Sequence, residues 1–135
     1  MLKYFLLKEF IPKQLWESEG EQSIAKMDYR ILETMDRLRE FFNSPIIVNT
    51  WHSGGKLQYR GYRPIDCNVG AKNSAHKKGL ACDFNVVGLQ ADFVRKEILK
   101  NQYLFPNIKR LENDTSWIHI DCVDTGKKEI ILFNP

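Results

Sequence analysis

Cysteine is scarce in this 135-residue chain. Cys67, Cys82 and Cys122 are odd in number and none lies at a CxxC spacing, which argues against a disulfide framework. Cys82 and Cys122 fall inside apolar runs, where a thiol acts as a small buried hydrophobe. Long apolar stretches are lacking too. The opening segment has an apolar run of only Tyr4 to Leu7 before Lys8 and Glu9, too short for a secretory signal core. Nothing approaches the roughly 20 apolar residues of a membrane span. The expectation is a protein that is cytoplasmic as synthesised, with no integral membrane segment. Charge of one sign is also missing: the net charge is +3, with no basic stripe, so nucleic acid is not an expected partner. There are no internal repeats. A hydrophobic fraction of 43% leaves enough apolar matter for one packed domain over residues 1–135.

The pattern along the chain predicts an α+β domain. Pro12 to Glu19 reads as a short helix ended by Gly20. From about Gln22 to Asn43, Ile24, Met27, Ile31, Leu32, Met35, Leu38 and Phe42 recur at helical spacing, which predicts one amphipathic helix. Residues 46–50 read as a strand from their β-branched content. Residues 51–75 form a long glycine-punctuated segment, and loops of that length usually carry function. A strand over 80–87 and a helix over 89–100 follow, the helix with Phe93, Val94, Ile98 and Leu99 on its apolar side. Residues 108–112 and 117–122 predict a hairpin around the polar turn 113–116, and 130–133 a last strand. The expected architecture is a small, mostly antiparallel sheet packed against N-terminal helices.

Histidine is as rare as cysteine, and two of the three fall into one pattern. His76 and Asp83 sit in Ser74-Ala-His-Lys-Lys-Gly-Leu-Ala-Cys-Asp83, and a second block reads Trp117-Ile-His119-Ile-Asp121. Strand alternation turns Asp83, His119 and Asp121 to one face and the apolar Cys82, Ile118 and Ile120 to the other. Two imidazoles and a carboxylate are the ligand set of an open zinc site, with a fourth position left for water. With a four-residue turn, Glu112 pairs with Trp117 and shares the face of His119. A carboxylate there can take a proton from that water and pass it to a leaving amine.

The two blocks together resemble the zinc D-Ala-D-Ala carboxypeptidase family, which also includes murein endopeptidases, phage endolysins and the hedgehog signalling fold. The resemblance implies a zinc cleft on the sheet, with zinc held by His76, Asp83 and His119. It implies hydrolysis of peptide bonds in bacterial cell-wall stem peptides, by a carboxypeptidase or an endopeptidase, as in a phage lysis enzyme. The protein would then act on the wall after release, as a monomer. An arginine upstream commonly grips a substrate carboxylate in this family. In Gln58-Tyr-Arg60-Gly-Tyr-Arg63-Pro64 the order Gly-Tyr-Arg favours Arg63, with Arg60 second.

The chain departs from the family at one place. Many members carry their acid three residues before the last histidine, where this sequence has Ser116. Glu112 is the expected replacement, Asp114 in the turn the runner-up, and Asp121 a carboxylate that orients a ligand. His52 could touch substrate, but a structural or solvent-exposed place is expected for it. The missing acid keeps open a second reading, a non-catalytic zinc-binding or phage structural module of the same fold.

Overall fold

Asp28 decides where the main helix begins. Its backbone is extended (φ −69°, ψ 130°) and its carboxylate accepts a hydrogen bond from Arg30 N at 2.9 Å, a side-chain N-cap that satisfies one orphan donor. A computed structural model of the chain describes residues 2–135. In it the single helix expected from Gln22 is two elements. Gly20–Lys26 is a 3-10 turn, Met27 is extended, and the helix proper, α2, runs Tyr29–Phe42. The break has a tertiary cause: Asp28 N donates to Gly79 O at 2.9 Å, so this backbone serves the loop ahead of the sheet. The shorter α1 runs Lys13–Glu19, as its proline and glycine predict.

Five strands form one mixed sheet in the order β1-β2-β4-β3-β5. They are β1 Ile46–Ile47, β2 Ala81–Val86, β3 Arg110–Glu112, β4 Ile118–Asp121 and β5 Ile131–Phe133. The three pairings among β1 to β4 are antiparallel, whereas β5 joins β3 in parallel. The first strand is shorter than expected because Asn49 leaves the ladder, its N–H donating to Glu9 O. Helix α3, Ala91–Lys100, lies between β2 and β3 in sequence and packs against β2 and β4. The expectation of N-terminal helices alone behind the sheet therefore needs α3 added.

Alternation sorts the sheet as the sequence predicts. Cys82, Phe84, Leu111, Ile118 and Ile120 are buried on one face, with Ile31, Met35 and Leu38 of α2 and Val94 and Ile98 of α3 in the same core. Each fully buried Leu, Ile or Phe contributes about 1.5–3 kcal/mol over leaving it exposed. The opposite face carries the polar set. One apolar assignment is overturned: Phe93 is 49% exposed, while Arg95 is buried at 4%. The face of α3 toward the sheet is Val94, Arg95 and Ile98, and Arg95 meets turn carbonyls that an aromatic ring could not satisfy.

Gly79 ends the 3-10 turn Ala75–Lys78 with φ +71°. An added Cβ would run into the carbonyl oxygen of Lys26. The left-handed backbone alone costs a non-glycine residue about 1–3 kcal/mol, and the clash adds to it. Gly79→Ala is expected to lower the unfolding free energy by at least that amount, seen as a lower urea midpoint, and to weaken metal binding through His76. An unchanged midpoint would show that this close approach does not constrain the fold.

Candidate metal centre

His76 lies in the 3-10 turn just before β2, held by Ser74, whose Oγ accepts from His76 N at 3.2 Å. The ring is buried, and Nδ1 sits 2.8 Å from the carbonyl oxygen of Gly61. A carbonyl only accepts, so Nδ1 carries the proton and Nε2 presents a lone pair. That Nε2 has no hydrogen-bond partner, although Asp83 Oδ1 is 3.2 Å away. A lone pair facing a carboxylate oxygen is a pairing that a cation between them satisfies.

Asp83 in β2 and His119 in β4 are direct register partners. Asp83 Oδ1 lies 2.8 Å from His119 Nδ1, and His119 Nε2 lies 2.8 Å from Asp121 Oδ2. One donor atom from each of His76, Asp83 and His119 falls within 4.8 Å of the other two, and all three residues are buried. Arg110 closes the network, donating from Nε and Nη2 to both oxygens of Asp121. Asp121 therefore holds the ring nitrogen of His119 that faces away from Asp83, which fixes the ring and leaves Nδ1 toward the cluster.

Burial opposes a charge on Asp83, but the hydrogen bond from His119 and the closeness of both imidazoles outweigh it and hold the carboxyl well below its usual range. Burial likewise disfavours a charged His119, yet its bonds to Asp121 and Asp83 raise it to about 9. Asp121 is held down by His119 and Arg110 against its own burial. The donor set fits zinc: two imidazoles and a carboxylate, each second nitrogen committed elsewhere.

A proton on His119 Nδ1 competes directly with a metal there. Apparent zinc affinity is expected to rise about tenfold per pH unit from about pH 6 to about pH 8. Competition against a chromophoric chelator measures it, and a flat profile would remove Nδ1 from the ligand set. In metal-free protein the sign reverses. A histidine raised to about 9 lends stability that is complete below its unfolded value near 6.5 and is lost as pH climbs through the folded one.

Glu112 is better placed than the predicted pairing with Trp117 implied. The register is Arg110 with Asp121 and Leu111 with Ile120, so one further step sets Glu112 opposite His119. Glu112 also pairs with Phe133 of β5. Asp83, His119, Glu112 and Phe133 thus form one rung across four strands. A slip of two residues preserves the face, which is why the expected side of the sheet holds although the pairing does not. Asp114 has φ +56° and is exposed in the turn.

The rung forms the floor of a cleft of ≈ 310 Å³, whose lining includes Arg63, Ser74, His76, Glu112, Trp117 and Phe133. Arg63 is nearly buried, with Nη2 3.3 Å from Asp83 Oδ2, Nη1 on Ser74 Oγ and Nε on Tyr59 O. Arg60 does not line the cleft. Its guanidinium bonds Ile47 O, Val48 O and Asn85 Oδ1, away from the three clustered donors.

Residues 3–121 match the family model described as Peptidase M15. The chain belongs to the M15 peptidase family. M15 peptidases are zinc-dependent and include the D-Ala-D-Ala carboxypeptidases, which agrees with the sequence resemblance. No curated protein and no solved structure gives a significant match. Among the described residues no helix is long and apolar enough to cross a membrane.

Two cleft residues escaped sequence reasoning. Arg110 alternates with Glu112 on β3 and could have been found by parity alone. Phe133, whose ring lies 5.5 Å from His119 and 4.4 Å from the Arg110 guanidinium carbon, could not: its place depends on a parallel pairing that carries no local signal. His52 packs against Trp51 and does not line the cleft. Cys82 and Cys122 are buried free thiols, and burial pushes both up.

Proposed function

We propose that this M15 peptidase hydrolyses bacterial cell-wall stem peptides, using a zinc ion held by His76, Asp83 and His119 and Glu112 as general base. The observation that carries the reading is the convergence of those three donors beside Glu112 on the floor of one cleft. Zinc at such a site supplies Lewis acidity and brings the pKa of water toward 7. Glu112 would take a proton from the attacking water and pass it to the departing amine. Asp121 keeps the His119 ring oriented, and Arg110 keeps Asp121 charged. Arg63 braces Asp83 and stands at the cleft wall, where its planar fork suits a substrate carboxylate.

Many family members carry their acid at the place that Ser116 occupies here, four positions from Glu112. This observation supports a second reading, a zinc-binding module without turnover. Mass spectrometry of purified muropeptides, incubated with zinc or with a chelator, separates the two. The expected result is zinc-dependent loss of a defined fragment, which also names the bond and decides between carboxypeptidase and endopeptidase. Intact muropeptides from a folded protein carrying one zinc would overturn the peptidase reading.

A further inference from the structure

The turn between β3 and β4 has a problem that its sequence does not solve. Residues 113–116 leave the ladder, so their carbonyls need donors from elsewhere. Arg95 of α3 supplies the donor for Thr115 O and for the two carbonyls that flank the turn, those of Glu112 and Trp117. Its side chain is 5% exposed, and it reaches the turn from behind the sheet. Nη2 donates to Thr115 O at 2.9 Å, and Nη1 to Trp117 O at 3.1 Å, Glu112 O at 3.5 Å and Thr115 Oγ1 at 3.5 Å. The one carboxylate on it, Asp92 at 2.6 Å, has a side chain 83% exposed. Most of this buried charge is therefore answered by the backbone of the turn. A guanidinium offers five donors in a fixed plane, and no other side chain can bind both ends of a turn this way.

We infer that Arg95 is a positioning residue for Glu112: it ties the last residue of β3 to the first residues before β4 and so sets the acid against His119. The inference rests on the reading of Glu112 as general base. An acid on the strand of the last histidine would be placed by that strand alone. Here the acid lies across the turn, one step beyond the pair Leu111 with Ile120, so its distance from the metal ligands depends on how the turn is held as well as on its pairing with Phe133. Asn85 of β2 adds a second tie, its Nδ2 donating to Ser116 O at 2.9 Å.

The test uses zinc-loaded full-length protein carrying Arg95→Met, Arg95→Lys or Glu112→Gln, and the double variant Arg95→Met/Glu112→Gln. Two readouts are taken: backbone ¹⁵N order parameters, and turnover of the muropeptide that the wild type cleaves fastest. Loss of the strap is expected to drop order parameters over residues 113–117 from about 0.85 toward about 0.6, with β2 unaffected and zinc stoichiometry still one. Turnover is expected to fall by roughly 10²-fold, the scale of an ångström-level misplacement. Lys keeps the charge but not the fork and recovers only part of it. If Arg95 acts through Glu112, the double variant matches Glu112→Gln within about twofold. A turn that stays rigid in Arg95→Met, or losses that multiply in the double variant, would overturn the inference. Full turnover in Glu112→Gln with a loosened turn overturns the general-base reading instead, and the positioning role with it. Should Arg95→Met fail to fold, Thr115→Val removes the 2.7 Å bond from Thr115 Oγ1 to Trp117 O without opening a buried cavity. It is held to the same two readouts.

Discussion

Asp83→Ala is expected to abolish zinc binding and turnover together and to leave the metal-free fold clearly weaker. Asp83 Oδ1 is shared by the two histidines and Oδ2 by Arg63. The carboxylate is thus a metal ligand in the proposed site and also the negative centre of a buried cluster. Removing it strands a nearly buried guanidinium and a histidine that it helps to keep charged. Taking one partner from a buried ion pair costs about 3–5 kcal/mol. The metal-linked stabilisation, about 4 kcal/mol when zinc stands at a thousand times its dissociation constant, disappears as well. Urea melts with and without zinc read both effects. The wild type should shift with zinc and the variant should not. A variant that still takes up one zinc with a wild-type midpoint would remove Asp83 from the site. His76→Ala is the useful comparison, because it deletes a ligand whose Nε2 makes no hydrogen bond. It should lose zinc at a smaller cost to the metal-free fold.

The features legible in the sequence were those governed by parity and spacing. Asp83, His119 and Asp121 share a face because alternation has a period of two, and Cys82, Ile118 and Ile120 had to take the other. Parity is enough to put Asp83 and His119, two of the three clustered donors, on one side of the sheet. Features set by tertiary contact were not legible. The main helix starts at Tyr29 because Asp28 caps it and bonds to Gly79, a residue some fifty positions away. Apolar spacing ran across that break because Ile24 and Met27 still face the core from a separate turn. Nothing in the sequence marks Arg95 for burial, because the turn it binds is some twenty residues away. The parallel pairing of β5, which brings Phe133 beside His119, has no trace in residues 130–133 alone. The order Gly-Tyr-Arg favours Arg63 over Arg60 in sequence but says nothing of where either side chain goes. Only the fold sends one guanidinium to the backbone of β1 and the other into the cleft.

Glu112→Gln is expected to keep one bound zinc and lose turnover by about 10²–10⁴-fold, the range general acid–base help contributes, or about 2.7–5.4 kcal/mol of barrier. The change keeps shape and hydrogen-bonding size while removing the proton acceptor. Glu112 makes no bond to His76, Asp83 or His119, so the metal cluster has no reason to move. KM should change little, because an interaction made chiefly in the transition state appears in kcat. The register strengthens the expectation: Glu112 stands opposite His119 and is flanked on β5 by Phe133, inside the cleft. Asp114, the other acid near the turn, is exposed and held in a left-handed conformation. Asp121 is committed to Arg110 and His119 and cannot take a further proton without releasing them. Single-turnover kinetics with zinc quantified in the same samples separates a lost base from a lost metal. Near-full turnover in the zinc-loaded variant would sink the assignment, since no other carboxylate in the cleft is free to replace it.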